Sequence, residues 1–361
     1  MPQERKNFMH SKVIVDAFGG DNAPLAALKG AELAVKELGV SIVLCGNEAE
    51  IHRVAIQNDI SLVGMEILNA TRVFDMHAEP TSVLKENGDT SLAVGLKALA
   101  QGKGDAFVSA GSTGAIAVGA TFITKRIKGI KRPAIATMMP TPKSRFLLVD
   151  AGANADCRPE MLLSFGVMGA KYMELSLGIK NPRVGLLNNG AEDTKGDKLR
   201  VETYQLLKAS PLNFVGNIEA RDVMSDKCDV LVTDGFSGNI VLKMSEGVAL
   251  SFYSLIKQAF VKGTLSKIAA LMVKKNLKSM KKLMDYSEVG GAPLLGIKKP
   301  VIKAHGSSNE RAFKNAIRQA DAFASSGAIA AISEFYQSHP PTGLLNVTLY
   351  VCIPAVAVSS I

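Results

Sequence analysis

The sequence contains no tryptophan and only four cysteines in 361 residues. Cys45, Cys157, Cys228 and Cys352 lie far apart and form no CxxC pair, and the five histidines form no HxxxH spacing. Neither a disulfide framework nor a structural metal site is expected, and no cofactor is implied. A G-x-S-x-G elbow, a P-loop, a GxGxxG fingerprint and an EF-hand loop are all absent. The covalent acyl-enzyme therefore has no evident nucleophile, and direct transfer between two bound substrates fits better. The opening residues, MPQERKNFMHSK, lack the apolar core of a signal peptide, so a reducing cytoplasmic setting is expected.

Acidic residues are missing from one window. Between Gly247 and Met284 there are eight lysines and no Asp, Glu or Arg; removing those eight from the net charge of +9 leaves +1. The basic excess is thus local and points away from a chain-wide nucleic-acid footprint. The tail from Pro340 carries no charge at all, alternates with a strand-like period of two over Leu345–Val351, and is short for a bilayer span.

What is present is globular: 47% of residues are hydrophobic and 21% charged, enough for one large or two medium domains. Short apolar runs, each followed by a glycine-rich turn and a helix-like segment, recur at Val13–Val15, Ile42–Cys45, Ala106–Ser109, Leu147–Val149, Val184–Leu187 and Val230–Thr233. That alternation predicts a three-layer α/β/α sandwich with a mainly parallel sheet. The catalytic domain is expected over 12–337, preceded by an extension over 1–11 and followed by a tail over 338–361. A helical arm is expected at about 246–286, because Val248, Phe252, Leu255 and Ala259, then Val273, Leu277, Met280 and Met284, recur at helical spacing around a break near Gly263.

Six turns are rich in Gly, Ser, Thr and Asn, and in a parallel sheet they are expected to leave one edge, where backbone amides collect. They are AFGGDN with Gly19, Gly20 and Asp21, directly after Asp16; SAGSTGA with Gly111, Ser112, Thr113 and Gly114; DAGAN with Asn154; NNGAEDTKG with Lys195 and Gly196; DGFSGN with Asp234, Gly235, Gly238 and Asn239; and AHGSSN with His305, Gly306, Ser307, Ser308 and Asn309. Singly, each is an ordinary glycine turn; together they suggest a site that holds anionic groups by N–H donors. Lys195 precedes a helix expected to start near Asp197, and reads either as a phosphate-facing cation or as a solvated surface lysine. Asn239 can donate an amide to an oxyanion or cap a helix. His305 can act as a base or merely fix its turn. Asp16 and Asp21 are expected to orient neighbouring amides or Lys195.

The succession VDAFGGDNAP, SAGSTGA, RPAIAT, DAGAN, NPRVGLLNNGAEDTKG, DGFSGNIVLKMSEG, GGAPLLGIKKPVIKAHGSSN and KNAIRQA, from about Val13 to Tyr336, resembles the bacterial phosphate acyltransferase family of phospholipid synthesis. The resemblance implies a fold akin to phosphotransacetylase and isopropylmalate dehydrogenase. It also implies a metal-free reaction in which inorganic phosphate attacks the thioester of a long-chain acyl carrier protein to give acyl phosphate. The product would pass to a membrane acyltransferase that acylates glycerol 3-phosphate. The family's catalytic lysine and asparagine fall on Lys195 and Asn239. Phe18, Asn22, Asn189 and Ala191 depart from the usual Met, His, Ile and Glu, which leaves fine substrate preference open.

The resemblance further implies that the arm supports a homodimer and reaches an anionic membrane surface, so that the chain is cytoplasmic and peripherally membrane-associated. Lys267, Val273, Lys274, Leu277, Met280 and Met284 are its expected contacts, with an acidic carrier protein as a further partner and no nucleic acid. A short-chain, coenzyme A-dependent phosphotransacetylase and a non-enzymatic basic membrane adaptor are the alternatives.

Overall fold

The six apolar runs are strands, and their side chains alternate between two cores. Val13 and Val15 point into one cluster and Ile14 into the other; Ala106 and Val108 are split from Phe107, Leu147 and Val149 from Leu148, and Val230 and Val232 from Leu231. A strand buried on both faces needs apolar residues at every position, which is why these segments read as continuous apolar runs. The computed structural model describes residues 11–261, 263, 265–266, 269–275 and 290–339.

Strands β1 (Lys12–Asp16), β2 (Ser41–Gly46), β3 (Met65–Asn69) and β4 (Ala106–Ser109) are followed by β5 (Ala134–Pro140), β6 (Arg145–Val149), β7 (Arg183–Asn188), β8 (Asn213–Glu219) and β9 (Val230–Val232), and the sheet is completed by β10 (Gly291–Leu295) and β11 (Val301–Ala304). They form one sheet in the order β3-β2-β1-β4-β11-β10-β5-β6-β9-β7-β8. Helices α1 (Leu25–Leu38), α2 (Glu48–Gln57), α3 (Ser91–Ala100), α4 (Thr113–Gly119), α5 (Pro159–Leu177), α6 (Lys198–Ala209), α7 (Gly235–Val261), α8 (Glu310–Ser325) and α9 (Ala328–Ser338) complete the chain order. Helices α1, α5, α8 and α9 contribute to the first core and α3 and α4 to the second, giving the expected three layers.

The single edge expected for the six turns is not found. The sheet is mostly parallel, but β10 runs antiparallel to β11 and to β5, and β5 antiparallel to β6. The block β6-β9-β7-β8 therefore points opposite to β1, β4 and β11, and the six turns do not leave one edge. The first two residues of β5 pair with β10 and the other five with β6, so the second block is also shifted along β5. Strand β10 is hard to read from sequence: Pro293 lies inside it, opposite Ile302, and proline in an interior strand argues against a strand.

Helix α7 bridges the two blocks. It begins at Gly235, inside the DGFSGN turn, rather than near residue 246, and runs without a break to Val261, with Gly263 in a bend. Its inner edge packs through Val241 and Leu242 onto the second core, while Phe236, Met244, Leu250, Phe252 and Leu255 are exposed. Val273 is half-buried and Lys274 exposed; Lys267, Leu277, Met280 and Met284, the tail over 340–361 and the first ten residues lie outside the described residues. No helix among the described residues is long and apolar enough to cross a membrane.

Candidate active site

Asp16 ends β1 with its carboxylate buried. Oδ1 accepts from Ser91 Oγ at 2.6 Å and Oδ2 from Ser109 Oγ at 2.7 Å. Burial pushes its pKa up, and these hydrogen bonds oppose the shift. Ser109 Oγ in turn accepts from the Gly111 amide at 3.0 Å, so Asp16 orients an amide of the SAGSTGA turn through a serine rather than touching Lys195. A Cβ on Gly19 would lie 2.7 Å from both Asp16 Oδ2 and the Gly111 nitrogen, so only glycine permits this approach. Ser112 serves as the N-cap of α4, and Gly114 packs against Pro80.

The first turn is also tied to AHGSSN. The Asp21 amide donates to the Gly306 carbonyl at 2.8 Å, and Asn22 Nδ2 donates to the Ser307 and Ser308 carbonyls at 3.1 and 3.3 Å. Asn22, one of the departures from the family pattern, is thus a brace between turns. Ser307 donates its amide to His305 Nδ1 at 3.2 Å, which leaves the proton of a neutral ring on Nε2. Burial and then the charges of Lys243 and Lys303 push the His305 pKa below its ordinary value. At neutral pH His305 is therefore a hydrogen-bond donor through Nε2 rather than a cation. Asn309 caps α8 through Ala312 at 2.9 Å.

In the other block the DAGAN turn winds around Asp150. This buried carboxylate accepts from the amides of Ile135, Gly152, Ala153 and Asn154 and from Asn154 Nδ2. Asn154 Nδ2 also donates to the Pro133 carbonyl at 2.8 Å, so its amide holds the turn together and does not face a substrate. The start of α7 rests on that turn: Gly235 donates its amide to the Asn154 carbonyl at 2.7 Å, and a Cβ on Gly238 would overlap the Asp150 carbonyl oxygen. Asn239 follows directly and lies over Gly152, whose added Cβ would be 3.5 Å from Asn239 Cβ. Asn239 directly follows the first turn of α7 and is not its cap. Asp234 has that role, accepting from the Ser237 amide at 2.8 Å.

Lys195 is exposed, as expected for either of its readings. Its turn is held by Asn188, whose Nδ2 donates to the Lys195 carbonyl at 3.0 Å, and by Gly196 at φ +100°. Asp197 caps α6 by accepting from the Arg200 amide at 2.9 Å. The Arg200 guanidinium, only 15% exposed, then joins this turn to α7: it pairs with Asp197 at 2.8 Å, donates to Ser237 Oγ at 2.9 Å and pairs with Asp234. Asp234 thus caps and anchors, a structural task in place of the expected substrate contact.

One face of α7 acts on the other block through its charges. Asn239, Lys243 and Glu246 are spaced i, i+4 and i+7, one above the other. The charges of Lys243 and Glu246 act on His305, and that of Lys243 acts on Lys303. Hydrogen bonds thus join the turns within each block, and the charges of Lys243 and Glu246 reach from α7 to the turn of the other block. Sequence reading missed Arg200, Lys243 and Lys303. Only Lys303 carried a signal, being a lysine inside an apolar run of an interior strand, VIKA, where charge is costly.

The fold is that of the phosphotransacetylases. The model matches the EutD phosphotransacetylase from Staphylococcus aureus with a TM-score of 0.58 and 16% identity, covering 87% of this chain and 94% of that one. Residues 11–331 match the family model described as "Fatty acid synthesis protein". The phosphate acyltransferase of Alkaliphilus oremlandii is 46% identical over 323 residues, 90% of this chain and 96% of that one. That of Bacillus licheniformis is 44% identical over 328 residues, 90% and 98%. The chain belongs to the phosphate acyltransferase family and is an acyltransferase.

Proposed function

We propose that the chain transfers the acyl group of a long-chain acyl carrier protein to inorganic phosphate, releasing acyl phosphate and free carrier for glycerol 3-phosphate acylation. The observation that carries this reading is that Arg200 ties the Lys195 turn to the start of α7, next to Asn239, while charges on the same helix act on the neutral His305. Such a set supplies positive charge and N–H donors where a tetrahedral oxyanion forms. A phosphate oxygen attacks the thioester carbon; Asn239 and the His305 Nε2–H receive the negative charge on the carbonyl oxygen. Lys195, ahead of the α6 N-terminus, offsets the charge brought by phosphate. The intermediate then collapses with cleavage of the C–S bond, and the thiolate, whose ordinary pKa is about 8.5, departs without strong acid assistance. Burial pushes the Cys157 and Cys228 thiols up to about 12, which disfavours either as a thiolate nucleophile and supports direct attack.

The carrier-dependent reading is separated from a short-chain coenzyme A enzyme by phosphate-dependent thiol release. The expected result is turnover of palmitoyl carrier protein well above that of acetyl coenzyme A; the reverse order overturns the carrier-dependent reading. The exposed apolar side chains of α7, continuous with the lysine-rich segment, support a homodimer and a peripheral contact with anionic membrane. Residues 12–337 act in this reading as one catalytic unit, with that helix as the root of its arm. Phe252→Asp with Leu255→Asp is expected to abolish co-sedimentation with anionic vesicles; undiminished sedimentation contradicts the membrane contact.

A further inference from the structure

We propose that Lys303 and Lys243 hold the inorganic phosphate substrate, one from beneath the cleft and one from α7, beside His305. This rests on the phosphate-dependent reading above. Lys303 lies on β11, an interior strand paired with β4 on one side and β10 on the other. Its ammonium reaches the Ala110 carbonyl at 3.5 Å and the Ala304 carbonyl, and makes no ion pair with a carboxylate among the described residues. Carbonyls satisfy its N–H groups without neutralising its charge, so a largely buried cation is left facing the cleft turns. Those turns are packed closely around it: a Cβ on Gly20 would lie 2.8 Å from both Ala110 Cβ and the Gly306 carbonyl oxygen.

Two further features point to an anion. Ser308 Oγ in the same turn is buried, with the residue 2% exposed, and has no hydrogen-bond partner among the described residues. Lys243 is 55% exposed and, among the described residues, paired only with Glu246 at 2.9 Å, an i,i+3 surface pair that yields readily to a stronger anion. Burial lowers the Lys303 pKa to about 8, Asp21 opposing and Lys243 reinforcing the shift, while Asp21 and Glu246 oppose the same trend at His305. Lys303 is therefore charged below about pH 8 and loses its charge above it, and kcat/KM for phosphate should fall as pH rises through that value.

The test compares wild type with Lys303→Gln and with Lys243→Gln, whose exposed side chain lies outside the core, in steady-state thiol release and in titration calorimetry with inorganic phosphate. In Lys303→Gln the KM for phosphate should rise about 30-fold and in Lys243→Gln about fivefold, with the KM for acyl carrier protein within about twofold of wild type. The fall in kcat/KM near pH 8 should vanish in Lys303→Gln. An unchanged phosphate KM in both variants, or a rise shared equally by the carrier, overturns the proposal. Calorimetry separates this from the function itself: Lys303-dependent phosphate binding without thiol release sustains the site and refutes the acyl-transfer reading, whereas thiol release with phosphate binding indifferent to both lysines does the opposite.

Discussion

Gly238→Ala is expected to remove nearly all acyl transfer, while Gly247→Ala, in the same helix, leaves it intact. The added methyl at 238 would overlap the Asp150 carbonyl oxygen and press on Thr233 Cγ2 at 3.0 Å. Neither can retreat, because Asp150 is fixed by its hydrogen bonds to four amides and to Asn154 Nδ2. The first turn of α7 must lift instead, and Asn239 is the next residue. Displacing a reacting group by about 1 Å costs roughly 100-fold in rate, and overpacking of this kind costs about 1–3 kcal/mol of stability. At Gly247 a Cβ meets nothing within 4 Å, so the same change adds helix propensity worth up to about 1 kcal/mol. Thermal unfolding and thiol release on the pair of variants check both halves. Near-normal turnover in Gly238→Ala would show that the placement of Asn239 is not critical.

Lys195→Ala and Asn239→Ala should each lower kcat by roughly 100- to 1,000-fold, the loss typical of removing one donor to a developing charge. Both residues are exposed and neither is part of the core, so the melting temperature should hardly move. At Asn239 the loss should fall on kcat alone, in contrast to the phosphate KM effect expected at Lys303, because its amide acts on charge that exists only in the transition state; at Lys195, which also offsets the charge phosphate brings, a rise in phosphate KM should accompany it. The double variant should lose less than the product of the single losses, since both serve the same transition state. A loss confined to KM would reassign the pair to substrate holding.

The fold was legible where burial on both faces forces unbroken apolar runs, as at Val13–Val15 and Val230–Val232. It is illegible at β5 and β10, whose antiparallel pairing with each other joins segments distant in sequence and whose prolines, Pro140 and Pro293, argue for a turn. The glycine turns were legible because close backbone approach leaves no other residue, as at Gly19 and Gly238. Roles inside them were not. Asn154 and Asp234 look like substrate contacts in sequence, yet one binds Asp150 and the Pro133 carbonyl and the other caps α7 and pairs with Arg200. Arg200 itself sits in an ordinary amphipathic helix, and only the tertiary approach of α6 to α7 reveals it as the tie between the cap of α6 and the start of α7. Lys243 is hidden in the same way, its meaning set by β11 on the other side of the inverted strands.

The most direct test of direct phosphate attack is a single reaction of the protein with palmitoyl carrier protein and isotopically labelled inorganic phosphate, followed by mass spectrometry of product and protein. The expected result is labelled palmitoyl phosphate formed in step with free carrier thiol, no thiol release without phosphate, and an unmodified protein mass throughout. Thiol release in the absence of phosphate, or a palmitoylated protein that later gives up its acyl group, would contradict it.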